Sequence, residues 1–129
     1  MPRAQDLDTT FYVLRGWTAI ARVIGPDGNV ATPGSTTSIQ AIVQRVKAPG
    51  TPTHDAALTV GTVVKDPLVT RADDSRWTKD DVGYNFIAEL PASAFPSPDH
   101  YVVEFRFTPS SGADYSVIYK GGAKSTYNG

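Results

Sequence analysis

The sequence predicts an all-β protein, a sandwich of two antiparallel sheets, and three observations lead there. Extended segments recur between Gly- and Pro-rich breaks along the chain. No segment keeps a helical apolar period over the length of an ordinary helix. The region 84–108 holds two alternating stretches, with Tyr84, Phe86, Ala88 and Leu90 on one face of the first and Tyr101, Val103, Phe105 and Phe107 on one face of the second, as the two-residue period of a strand requires.

The elements follow in order. Residues 9–14 form a first strand that Arg15-Gly16 interrupts, and residues 17–24 form the next. Gly25-Pro-Asp-Gly-Asn29 is a turn, because Pro26 presets φ and Gly28 or Asn29 accepts a positive φ. Beyond the break at 32–35, a strand over 38–47 leads into a Pro-rich loop, 48–55. A strand over 58–64 follows, continued at 68–70 past Asp66-Pro67. Residues 71–82 are polar and read as a long loop pinned by Trp77. The strands 84–90 and 101–108 come next, and after the turn at 109–114 a last strand covers 115–120. About seven strands at this spacing are what a sandwich needs. Its core is expected to hold Trp17, Ile20, Phe86, Leu90, Tyr101, Val103 and Phe105. Residues 1–8 read as a flexible N-terminal arm, 9–120 as the single domain and 121–129 as a flexible C-terminal tail.

Composition bounds the function classes. A chain of 129 residues, 40% hydrophobic, suits one domain with a self-sufficient core. It contains no cysteine, so neither disulfides nor thiolate metal sites arise. A net charge of -1 and a pI near 6.0 provide no electrostatic drive toward nucleic acid or an anionic membrane, and neither is an expected partner. No apolar run reaches the length of a membrane span, and the N-terminus lacks the apolar run of a secretory signal, so a soluble product made in the cytoplasm is expected.

The search for catalytic chemistry yields no site. His54 and His100 each lie in a Pro-rich loop beside an aspartate, Asp55 and Asp99. A triad of Ser97, Asp99 and His100 fails because adjacent side chains point apart. Glu89 and Glu104 fall on neighbouring strands, opposite the aromatic stripe, where side chains usually face solvent. Asp73, Asp74, Asp80 and Asp81 gather oxygen ligands in one loop without calcium-loop spacing, and Arg76 and Lys79 offer them partners. Tyr12, Tyr115, Tyr119 and Tyr127 could form an aromatic platform for sugars, although tyrosines suit strand surfaces anyway. The chain is therefore read as a non-enzyme without cofactor or metal. Candidate protein-interface residues are Trp77, Tyr127 and Arg15, tryptophan being enriched at interface hot spots.

Two resemblances sharpen this reading. Leu90, the Pro-containing bend after it and the Tyr-x-Val-x-Phe strand from Tyr101 resemble the corner between the fifth and sixth strands of an immunoglobulin-like sandwich, where a tyrosine hydroxyl caps the turn. The order Phe-Tyr-Val-Leu-Arg-Gly, Gly-Pro-Asp-Gly-Asn, Asp73-Asp-Ser-Arg-Trp77, Gly83-Tyr-Asn-Phe, then Tyr101-Val-Val-Glu-Phe resembles small immunoglobulin-like structural proteins of tailed bacteriophages over residues 9–120. That resemblance implies a virion protein made in the host cytoplasm, a head decoration or neck/tail accessory subunit. It implies binding to capsid or tail proteins on a symmetric lattice and a homo-oligomer, with a trimer favoured. The alternative from another class is a carbohydrate-binding or adhesion module.

Overall fold

The computed structural model describes residues 3–124, with side chains from residue 9 onward. Nine strands form two sheets: β1 Arg3–Asp8, β2 Phe11–Tyr12, β3 Trp17–Ala21, β4 Thr36–Arg45, β5 Pro52–Leu58, β6 Val64–Val69, β7 Tyr84–Leu90, β8 His100–Pro109 and β9 Tyr115–Lys124. A helical turn, α1 Val60–Val63, and two 3-10 turns, Pro33–Ser35 and Ala92–Ala94, complete the elements. The larger sheet runs β1-β9-β8-β4-β5, with β2 joining β9 beyond the end of β1, and the smaller runs β3-β7-β6. This is an immunoglobulin-like β-sandwich: consecutive strands β7 and β8 lie in different sheets, and the first strand meets the last.

The aromatic stripes meet across the interior. Phe86 of the small sheet packs edge-on against Phe105 of the large one at 5.0 Å, and Trp17 packs against Tyr119 at 4.8 Å. Phe11 stacks on Phe95 at 4.6 Å, closing the end where the chain turns from β7 into β8. Phe86, Leu90, Tyr101, Val103 and Phe105 are all buried as expected. Trp17 is half-buried and packs against the core. Ile20 is also half-buried, because parity places Ala19 and Ala21 on the same inward face as Trp17 and turns residue 20 the other way. The alanines leave room for the large rings opposite.

The turn into β8 is a tyrosine corner. The Tyr101 hydroxyl donates to the Ser97 carbonyl at 2.8 Å and accepts from the Ser97 amide at 3.2 Å, so the bend keeps its backbone bonded while the chain changes sheets.

Several expectations change in the structure. Residues 3–8 are no free arm: they form β1, which pairs in parallel with β9 from Arg3 opposite Ser116 to Asp8 opposite Lys120. Residues 121–124 extend β9 and are not part of a loose tail, while 125–129 lie outside the described residues. A side chain at Gly121 would place its Cβ 1.8 Å from the Thr9 carbonyl oxygen, so only glycine lets β1 continue into β2 along β9. Half of the loop expected at 48–55 is the start of the edge strand β5, which tolerates Pro52 at its first residue. The strand expected over 58–64 is instead the end of β5, the turn α1 and the start of β6.

Replacing Phe86 or Phe105 by alanine should cost about 3–5 kcal/mol, whereas Ile20→Ala should cost less than either. Chemical denaturation of the three variants checks the order, and an Ile20→Ala loss equal to the others would contradict the parity of β3.

Candidate functional site

Three connections converge at one end of the sandwich: residues 22–35, 70–83 and 110–114. Strand direction puts them together, since β3 and β8 finish there while β4, β7 and β9 begin there. We call this the loop end, and the opposite end, with the tyrosine corner, the corner end.

Asn85 anchors the first connection. It is wholly buried, and where β3 leaves the sheet its side chain continues the ladder: its carbonyl oxygen accepts from the Val23 amide at 2.6 Å. Its amide donates to the carbonyls of Val23 at 3.0 Å and Ala31 at 2.7 Å. The second connection is held by Trp77 and two aspartates. The Trp77 indole donates to Asp80 at 3.1 Å, and the same carboxylate oxygen accepts from the amides of Val82 and Gly83. The other oxygen of Asp80 meets Arg22 of the neighbouring connection at 2.7 Å. Desolvation pushes the Asp80 carboxyl upward, but the bonds from Gly83, Arg22, Trp77 and Val82 outweigh it and hold its pKa at about 2. Asp74 accepts from the Arg76 side chain and amide and from the Tyr84 hydroxyl at 2.6 Å, which holds its carboxyl well below the ordinary range. Burial, and then the Asp74 carboxylate, push Tyr84 up to about 12.

Between the first and third connections lies a cleft of about 590 Å³, with Pro26 and Pro109 in its walls and Tyr115 at its base. Tyr115 stacks on Phe107 at 5.2 Å and is nearly covered. The cleft's polar groups are the hydroxyls of Thr32, Ser35, Ser110 and Ser111, the Asn29 amide and the Asp27 carboxylate, the last held low by the Asn29 amide and side chain. Its lining offers hydrogen-bonding hydroxyls and one carboxylate, and holds no imidazole or amine.

The other candidates fall as follows. Trp77 is 3% exposed, with Arg22 and Lys79 against its ring, so it anchors its own loop and presents no face to a partner. Arg15 is exposed at the corner end, whereas Tyr127 lies outside the described residues. Ser97 bonds Asp99 without His100, and Asp99 instead meets Lys47 at 2.8 Å and Arg45 at 3.4 Å. Glu89 and Glu104 are on adjacent strands in sequence but in separate sheets, on outward faces with the sandwich between them, so they cannot act as a pair. Glu104 accepts from Ser116 at 2.6 Å and from Arg106 at 3.2 Å. The four aspartates do not converge, and among the described residues no three His, Cys, Asp or Glu are placed to hold a metal ion. Tyr115 and Tyr119 face inward, which dissolves the proposed aromatic platform. Burial raises Tyr119 to about 12. Sequence reasoning missed Asn85, whose only signal was an amide inside a strand bordered by aromatic residues.

No protein-family model and no curated protein sequence matches the chain. Among solved structures, a family 123 glycoside hydrolase from Clostridium perfringens, described for glycolipid glycan hydrolysis, aligns with a TM-score of 0.39 and 6% identity, over 94% of this chain and 23% of that one. A likeness at that level carries no argument about this chain.

Two outcomes test the construction of the loop end. Asn85→Ala strips the Asn85 partner from the buried Val23 amide and Ala31 carbonyl, while the Val23 carbonyl keeps the Ala31 amide, and should cost about 2–3 kcal/mol, read by urea denaturation. Because the folded pKa of Asp80 is depressed, its stabilisation is complete above the ordinary aspartate value of 3.8 and is lost as pH falls through about 2. Asp80→Asn should therefore flatten the fall of the unfolding midpoint across that window while lowering stability at neutral pH; an unchanged slope would contradict the assignment.

Proposed function

We propose that the protein is a non-enzymatic structural component of a tailed-phage virion, a head decoration or neck/tail accessory subunit that binds a symmetric protein lattice. The observation that carries the reading is how the chemically capable side chains are used. Asp74, Asp80, Ser97, Asp99 and Glu104 each turn toward a structural donor or acceptor, fixing a loop, a corner or a strand face. A domain arranged this way offers shape and surface to a partner, as a lattice subunit must. The order of motifs from Arg15-Gly16 to the Tyr101 strand, which resembles phage structural proteins, supports the class of partner. The carbohydrate-binding alternative has less support, since the tyrosines it needs at positions 115 and 119 are inside.

Quantitative mass spectrometry of virions purified from the phage that encodes the chain should find it at a fixed copy number relative to the major capsid or tail protein. Particles made without the gene should take up the purified protein. Virions free of the chain would overturn the reading.

A further inference from the structure

The five large apolar side chains that are exposed among the described residues sit toward the two ends of the sandwich, Tyr12 on the short strand β2 and the others in connections. Tyr12, Leu14 and Val46 are at the corner end, and Ile24 and Val82 at the loop end. Backbone bonds place the first group: Leu14 donates to the Phe95 carbonyl and Val46 to that of His100, while Tyr12 pairs with Lys124 at the finish of β9. Ile24 bridges Val30 in the first connection, and Val82 closes the second.

The two ends carry opposite charge. At the corner end Arg15, Arg45, Lys47 and Lys124 outnumber the carboxylates with described side chains, Asp99 and, one residue before the end of β7, Glu89. At the loop end Asp74 and Asp80 are matched internally by Arg76 and Arg22, leaving Asp27, Asp73, Asp81 and Asp114 without an ion-pair partner among the described residues. The two further cations there with described side chains, Arg71, bonded to the carbonyls of Trp77 and Thr78, and Lys79, over the Trp77 ring, still leave an excess of two carboxylates.

Leu14 adds an independent sign. It has φ of 54° and is 61% exposed, so a leucine is held in the left-handed region without burying its side chain. Asparagine or glycine would fit that backbone better. Backbone strain of this kind clusters at functional surfaces.

We propose that copies of this chain associate head to tail, with the cationic, apolar corner end of one seated on the acidic loop end of the next. Contact between two like ends would oppose charges of one sign, so the electrostatics favour the heterologous arrangement, which closes into a ring or extends as a filament. The inference rests on the two ends of the domain and not on the identity of any larger particle.

The test uses two end-blocked variants. Leu14→Asn with Arg15→Glu removes the apolar and cationic groups of the corner end while suiting the positive φ; Asp73→Lys with Asp81→Lys reverses the loop end. By sedimentation velocity, the wild type should exceed its 13.8 kDa monomer mass at low salt and revert toward it as ionic strength rises from about 0.05 M to about 0.5 M. Each variant alone should be a folded monomer, confirmed by circular dichroism, and the corner-end variant should melt no lower than the wild type. Mixed in equal amounts they should form a two-chain species and nothing larger, because one intact corner end and one intact loop end remain. A wild type that stays monomeric at low salt, a variant that assembles alone, or a mixture without the two-chain species would each overturn the proposal. A monomeric wild type that is still found in virions would overturn this proposal and leave the virion reading standing.

Discussion

The structure depends on keeping the backbone hydrogen-bonded where the chain leaves one sheet for the other. Inside each sheet the ladders pair neighbouring strands, but each crossing leaves amides and carbonyls beside an apolar interior, where an unpaired group is costly. Two side chains serve two of these crossings: Asn85 supplies a side-chain rung where β3 peels away, and the Tyr101 hydroxyl bonds both the amide and the carbonyl of Ser97 between β7 and β8. Within the small sheet, Asp80 does the same for the amides at the close of the long connection from β6 to β7. With these held, the inward stripes of Phe86, Phe105 and Phe107 interlock as one core.

The same economy governs how the polar side chains are used. A carboxylate at an active site needs an oxygen free to face a substrate, but Asp80 spends one oxygen on three N–H donors and the other on Arg22. Asp99 likewise bonds the Ser97 hydroxyl while drawing Arg45 and Lys47 toward the corner. Rigidity at both ends follows, and a rigid end is a good platform for contacts because little order remains to be imposed on binding.

Legibility of the fold varied with the physics of each segment. β7 and β8 could be read in full, since alternating aromatic and aliphatic residues bury one face and the phase is unambiguous. Trp77 could be read as a loop anchor because a large ring amid polar residues has few other places to go. β5 was hidden: an edge strand buries little, so Pro52, His54 and Asp55 look like loop composition. β1 was hidden for a related reason, as its attachment to β9 is made through the backbone, to a partner more than a hundred residues away in the chain. On β3 the bulk of Ile20 outweighed the smaller Ala19 and Ala21, although strand parity with Trp17 already marked the alanines as inward. The candidate sites were less legible still. Glu89 and Glu104 look paired in sequence, but β7 and β8 belong to different sheets, and only the three-dimensional crossing separates them.

The parallel pairing of β1 with β9 has a geometric outcome of its own. Because the two strands run the same way, Arg3 stands beside Ser116 near the loop end, while Lys124 stands beside Tyr12 at the other. Many domains bring their termini close together; here the described residues begin near one pole, at Arg3, and end at the opposite one, at Lys124. Copies joined in tandem through a short peptide would run pole to pole like beads on a string, each entering where the last one left. A fluorescent label fused before residue 3 and another fused after residue 124 would report on different poles of the same molecule.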